Sequence, residues 1–271
     1  VQEDSITVVG VGDMAGDVFG NGLLMSDKLQ LVAAFNHLHI FIDPNPEPAN
    51  SFAERQRLFD LPRSAWSDYD TSIMSEGGGI FSRSAKSIAI SPQMKERFDI
   101  QADKLTPTEL LNALLKAPVD LLWNGGIGTY VKASSESHAD VGDKANDALR
   151  VNGNELRCKV VGEGGNLGMT QLGRVEFGLN GGGSNTDFID NAGGVDCSDH
   201  EVNINILLNE VVHAGDMTEK QRNQLLGSMT DEVGNLVLGN NYKQTQALSL
   251  AARRAYVRIA EYKRLMNDLE S

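Results

Sequence analysis

Cysteine is scarce in this chain. Cys158 and Cys197 are its two cysteines, and neither belongs to a C-x-x-C pair. That excludes a disulfide framework and a thiol-redox motif, and it leads us to expect reduced thiols in a cytoplasmic protein. Long apolar runs are missing too: none approaches the ~18–20 residues of a membrane span, and the N-terminus lacks a signal-peptide pattern. Basic residues are outnumbered, 24 Lys and Arg against 37 Asp and Glu, for a net charge of −13. Nucleic-acid partners need clustered cations, and here the cations are dispersed. Arg253, Arg254, Arg258, Lys263 and Arg264 do gather near the C-terminus, but at the spacing of a solvated helix face. No G-K-[S/T] follows a glycine cluster, which excludes a Walker loop. There is no G-x-S-x-G elbow or Ser-His-Asp order. The histidines show no metal-ligand spacing: His37 and His39 would share one strand face without a third ligand, and His138, His200 and His213 stand apart. No metal site is expected.

With 271 residues and 41% apolar content, the chain can build one large α/β unit with additions. Its ends read as those of an excerpt from a longer polypeptide. Apolar, β-branched runs at Ile6–Val9, Leu31–Phe35, His39–Ile42, Val119–Trp123, Cys158–Val161 and Asn185–Ile189 read as strands. Several end in small residues plus Asn ("NGGIG", "GEGGN", "DNAGG"). Between 43 and 48, "DPNPEP" forbids helix or central strand through Pro44, Pro46 and Pro48. Ser51 and Glu54 form a capping-box pattern expected to open a helix through about Asp60. The polar, glycine-rich stretch from Leu61 to Ser91 reads as an insertion or flexible loop. Thr106, Pro107 and Glu109 start a helix with Leu110, Leu111, Leu114 and Leu115 on one face. Beyond Glu201 the chain reads as helical, with a stop at Gly215 and a new capping box at Thr218 and Gln221.

This alternation predicts a Rossmann-like, doubly wound parallel α/β sheet followed by C-terminal helices, with ligands beyond the strand carboxyl ends. The expected organisation is a nucleotide-binding domain over 1–200, carrying an insertion at about 47–104, and a helical segment over 201–271. Gly10, Gly12 and Ala15 satisfy G-x-G-x-x-G/A directly after the first strand. The first glycine permits the tight turn and the second admits a pyrophosphate. The third position keeps helix and strand close, and the helix N-terminus faces the phosphates. A side chain at Gly12 should abolish cofactor affinity with modest loss of stability. Asp13 and Asp17 are awkward near a pyrophosphate unless they point away, and Asp17 reads as a solvent-facing acid of the first helical turn. The second strand ends in Asn36 where an acid is usual, with Asp43 as the alternative ribose ligand. No Arg or Lys follows Asn36, so NAD is expected to bind better than NADP.

Three further strings carry a resemblance. "VVGEGGN" (160–166), "DNAGGVDCS" (190–198) and "LVAAFNHLHIFIDP" (31–44) resemble the "VVEGAN", "ANAGGVxVS" and "VVAVSDSxGxIYDP" motifs of glutamate dehydrogenases. Over essentially the whole chain, "GVGDMAGDVFGNG" (10–22) and "LLWNGGIGTYVKAS" (121–134) resemble the large NAD-specific glutamate dehydrogenases of bacteria almost letter for letter.

The resemblance implies reversible oxidative deamination of L-glutamate to 2-oxoglutarate and ammonium, with NAD as cofactor and a homo-oligomer as the full-length state. It implies a loop of Gly10, Gly12, Asp13, Met14 and Ala15 around the pyrophosphate, and Asn36 at the ribose. Asn124 and Gly125 would lie along the cofactor, and Asn166 and Asn191 near the nicotinamide. Ser198 would reach the substrate carboxylate, its other reading being an N-cap for a helix over Asp199–Leu208. Asn36 in place of an acid, Asp13 in place of Asn and Gly165 in place of Ala depart from the family pattern. The lysine-bearing "GGAKGG" motif and the catalytic Asp of the family are absent from these residues, so no catalytic residue is expected in this chain. A non-catalytic nucleotide-sensing or regulatory domain is the alternative.

Overall fold

The computed structural model describes residues 2–271. Strand β1 (Ile6–Val11) runs parallel to β2 (Leu29–Phe35), joined to it through α1 (Asp17–Leu24). The chain then reverses into β3 (His39–Ile42), antiparallel to β2. His37 falls in the turn before this strand, so the two histidines do not share a strand face.

Helix α2 (Pro48–Asp60) begins earlier than Ser51 and Glu54 suggest. Pro48 occupies its first turn, where a missing N–H costs nothing, and the Glu47 carboxylate accepts from Ala49 N and Asn50 N. Ser51 and Glu54 instead lie inside the helix and bind Arg55 and Arg57. The stretch from Leu61 to Ser91 is ordered, not a free loop. It buries Trp66 and Tyr69 and supplies β4 (Gly79–Ser82), an antiparallel edge on β3. A small pair follows, β5 (Ile88–Ala89) with β6 (Lys104–Leu105), spaced by α3 (Pro92–Phe98).

Helix α4 (Pro107–Leu115) carries the reciprocal cap expected of it, with Thr106 and Glu109 exchanging bonds. It leads to β7 (Leu121–Asn124), parallel to β1 on the side away from β2. The chain thus moves from one side of β1 to the other, which creates a crevice at the carboxyl ends of the two strands. Next come β8 (Val131–Lys132), the short α5 (His138–Val141), and β9 (Val151–Asn152), which pairs with β8. Strand β10 (Val160–Glu163) lies parallel to β7, and α6 (Gln171–Leu179) leads to the edge strand β11 (Gly183–Ser184). The seven-stranded order is β11-β10-β7-β1-β2-β3-β4.

The last strand is therefore not Asn185–Ile189. Thr186 O accepts from Ile189 N and Asp190 N, and this closes the turn of α7 (Asp187–Asp190).

Period-two alternation along β1 sends Val8 and Val9 to opposite faces. Val9 joins Leu110, Leu111, Leu114 and Leu115 of α4 in one core. Val8 joins Phe19 and Leu23 of α1, Leu58 of α2 and Trp66 in the other. Both faces of the sheet are covered, as a parallel sheet requires.

Internal packing separates a unit ending at Asp190 from one beginning at Asn191. The second unit is α8 (Ala192–His213), α9 (Glu219–Ser228) and α10 (Thr230–Glu270). Gly215, at φ +84°, follows the end of α8. Thr218 and Gln221 form the expected capping box of α9. Among the described residues no helix is long and apolar enough to cross a membrane.

Candidate functional site

A cleft of about 710 Å³ opens where β1, β2, β7 and β10 end, lined by Val11–Asp13, Gly16, Asn36, His37, Arg83, residues 125–130, Asp143, Ala145, Asn146, Asn166 and Leu167. Its floor is built around Phe19. A Cβ at Gly10, Gly12 or Gly125 would fall within 3 Å of that residue, and Gly12 has a φ of +142°. All three positions thus let backbone approach closely where a side chain cannot fit. The first turn of α1 has no side-chain cap, since its N-cap is Gly16. Its N–H groups form the kind of site that binds phosphate.

Asp13 lines the cleft, and both oxygens of its carboxylate are engaged within the loop. Its Oδ1 accepts from Gly16 N (3.0 Å) and its Oδ2 from Asn36 Nδ2 (2.8 Å). The Asn36 side chain is also engaged, its Oδ1 accepting from Leu38 N and His39 N at 2.8 Å each. Asp43, the alternative ribose ligand, is buried and bound to Ser75 through that residue's N–H and hydroxyl. Burial raises its carboxyl above the ordinary range despite those bonds. It does not line the cleft.

Of the residues singled out from the sequence, the structure brings Gly12, Asp13, Asn36, Gly125 and Asn166 to the cleft. Gly10 lies inside β1, beneath it. Met14 turns into the core with Phe19 and is 1% exposed, because the loop must fill the space below α1. Ala15 is exposed and does not hold helix against strand. Gly20 and Gly22 allow that close packing instead: a Cβ at Gly20 would lie 2.5 Å from Met14 O, and one at Gly22 2.9 Å from the Trp123 ring. Asn124 is buried, its Oδ1 accepting from Gly126 N (3.4 Å) and its Nδ2 without a partner. Asn191 and Ser198 belong to the helical unit and are not among the lining residues. Ser198 is an exposed residue inside α8, not an N-cap, because that helix already starts at Ala192.

The loop between β10 and α6 rests on a buried ionic network. Glu163 accepts from Arg174 Nε (2.9 Å) and Nη2 (2.5 Å) and from Met169 N (3.1 Å). Asp187 lies 3.5 Å from Arg174 and accepts from Leu167 N (2.8 Å). Burial pushes the Glu163 carboxyl up, against the pull of Arg174. The network holds Leu167 at φ +60°, a conformation disfavoured for leucine, beside Asn166 in the cleft. Gly165 is explained as well: a Cβ there would sit 2.8 Å from Gly126 O.

Sequence reasoning missed Arg83, His37, Ile127–Tyr130, Asp143, Ala145 and Asn146. The "NGGIGTY" glycines signalled part of this wall, whereas nothing local marked Arg83. Trp66 was also missed. Its indole N–H donates to Gly12 O (2.9 Å), and its ring packs edge-on against Phe19 at 6.0 Å, so the insertion grips the glycine loop from behind. The described residues contain no cluster of ligands suited to a metal ion.

Residues 1–251 match the family described as bacterial NAD-glutamate dehydrogenase, catalytic domain. The chain belongs to this family. It is 82% identical over its full length to the NAD-specific glutamate dehydrogenase of Pseudomonas aeruginosa and 67% identical over 270 residues to that of Halomonas elongata. It spans 17% of the length of each. Among solved structures it is similar to the glutamate dehydrogenase of Plasmodium falciparum, with 16% identity and a TM-score of 0.40 over 70% of this chain and 31% of that one.

Proposed function

We propose that the unit ending at Asp190 is the NAD-holding part of a glutamate dehydrogenase that oxidatively deaminates L-glutamate to 2-oxoglutarate and ammonium. The observation that carries this reading is the cleft itself. An uncapped helix N-terminus and a glycine turn that admits no Cβ meet at the carboxyl ends of parallel strands. Gly12, Gly16 and the first turn of α1 would take the pyrophosphate, and the Asn36 end of β2 the adenosine ribose. Asn166 would lie toward the nicotinamide, a group that accepts hydride when bound.

This chain's own contribution is to bind and orient. The Glu163–Arg174–Asp187 network fixes the loop of Asn166 and Leu167, and Trp66 fixes Gly12. Holding two reactants in one geometry removes much of the entropic barrier to their reaction. Substrate-holding lysines and a catalytic acid are proposed to come from elsewhere in the longer chain, and Ser198 to reach the substrate carboxylate in the assembled, oligomeric enzyme.

The test is glutamate-dependent reduction of NAD⁺, followed by absorbance, with the full-length protein. Turnover is expected there, while the 271-residue chain alone should bind NAD⁺ weakly and reduce none. Full-length protein that binds NAD⁺ without turnover would replace this reading with a nucleotide-sensing one.

A further inference from the structure

Two arginines serve the cleft in different ways. Arg83 lines it, and its Nη1 donates to Asn36 O (3.0 Å) just past the end of β2. Arg150 is not among the lining residues, and its side chain is 0% exposed. It stands immediately before β9, whose Val151 N donates to Tyr130 O (3.0 Å), so its backbone is held by a regular strand pair. From there its fork reaches both loops of the cleft wall. Nε donates to Thr129 O (2.8 Å) and Nη2 to Asp143 O (2.5 Å). Nη1 donates to Asp147 Oδ1 (2.6 Å) and lies 2.9 Å from His138 Nδ1.

Side-chain bonds decide the shape of these loops. Residues 125–130 belong to no helix or strand, and residues 144–146 form a single 3₁₀ turn. Asp143 Oδ2 accepts from Thr129 N (2.9 Å) and from Asn146 Nδ2 (2.7 Å), which ties one loop to the other. Gly128, at φ +129°, passes so close that a Cβ there would lie 2.6 Å from Asn146 Nδ2. The Tyr130 hydroxyl donates to Ile127 O (2.8 Å) and supports a tip where Ile127 is 97% exposed. Thr129, Tyr130, Asp143 and Asn146 all line the cleft. Arginine suits the centre of such a knot, because its planar fork offers donors in several fixed directions where lysine offers a point charge.

We infer that Arg150 is a positioning residue for the dinucleotide: it holds residues 127–130 and 143–146 in the arrangement that admits the cofactor, without touching it. The inference rests on the cleft being the dinucleotide site. A wall shaped in advance binds more tightly, because less ordering remains to be done when the ligand arrives. Loosening the knot should therefore weaken the cofactor and spare the substrate, whose groups are proposed to come from elsewhere in the longer chain.

The experiment compares full-length wild type, Arg150→Lys and Arg150→Ala by calorimetry with NAD⁺, by steady-state kinetics with glutamate and by urea unfolding. Arg150→Lys is expected to raise the Kd and KM for NAD⁺ by about tenfold or more, the scale of a misplaced binding group. Its kcat at saturating NAD⁺ and its KM for glutamate should each change by less than about threefold. Guanidinium at a non-denaturing concentration should restore part of the NAD⁺ affinity of Arg150→Ala by refilling the vacated donor position. Where no turnover is seen, the calorimetric arm decides alone. Should both variants fail to fold, Asp147→Asn loosens one arm of the fork at a partly exposed residue. It should weaken NAD⁺ by about threefold at an unchanged unfolding midpoint. Wild-type NAD⁺ affinity in Arg150→Lys, or in Asp147→Asn where that variant stands in, would overturn the inference. So would a parallel rise in the KM values for NAD⁺ and glutamate with a lowered unfolding midpoint, which would reduce Arg150 to a support of the fold. Wild type that binds no NAD⁺ would instead sink the dinucleotide reading on which this one stands.

Discussion

A Cβ at Gly12 would lie 2.6 Å from Phe19 Cδ2, on a backbone of positive φ. The sequence-based expectation of modest destabilisation therefore needs correction: Gly12→Val should cost about 2–4 kcal/mol through overpacking and backbone strain as well as abolish NAD⁺ binding. Urea unfolding beside calorimetry separates the two effects, and an unchanged unfolding midpoint would contradict the packing described around Phe19. Arg174→Met poses the complementary question of charge. It leaves Glu163 and Asp187 buried without their cation, a loss of about 3–5 kcal/mol, readable in the same unfolding experiment. Cys158 supplies a third readout. It is buried, and burial pushes its thiol up to about 12. Because thiolate is the reactive form, Cys158 should resist alkylation at neutral pH until the protein unfolds, and mass mapping of rapid native labelling at that position would refute its burial.

Local chemistry decides some elements and distant packing decides others. Thr106→Ala removes the reciprocal cap of α4 and should cost about 1 kcal/mol, checked by thermal melting of the unit whose core that helix helps build. That helix, and α9 with its Thr218 cap, were legible because a cap needs only residues three apart. Strands β1 and β7 were legible from apolar runs ending in Gly or Asn, and β3 from an apolar run stopped by Asp43 and Pro44. The two-residue β11 carries no such signal, and the apolar Phe188 and Ile189 beside it mimic a strand while their backbone closes a helical turn. The insertion was the least legible part. Trp66 and Arg83 owe their roles to partners 54 and 47 residues away, and no local pattern records such contacts. The candidate site divides likewise: its glycines were readable from spacing, Arg83 was not.

The two units differ in how much apolar surface each hides. The unit ending at Asp190 buries two continuous cores, one on each face of its sheet. In the helical unit the buried apolar side chains are Ala192, Leu208, Val233 and Val237. Tyr256, Val257 and Leu269 stand largely exposed on α10. Since stability grows with the fraction of surface buried, residues 1–190 expressed alone should melt cooperatively. Residues 191–271 alone should be helical by circular dichroism yet melt gradually, without a sharp midpoint. A cooperative transition in the isolated helices would show that their core is larger than these side chains indicate.

The indole bond to Gly12 has an optical consequence. The chain's two tryptophans both lie against the first helix or its loop, Trp66 through Gly12 and Phe19, and Trp123 against Gly22. Intrinsic fluorescence is thereby concentrated beside the turn that a dinucleotide would press upon, and a shift in emission would follow occupancy of that turn without an added dye.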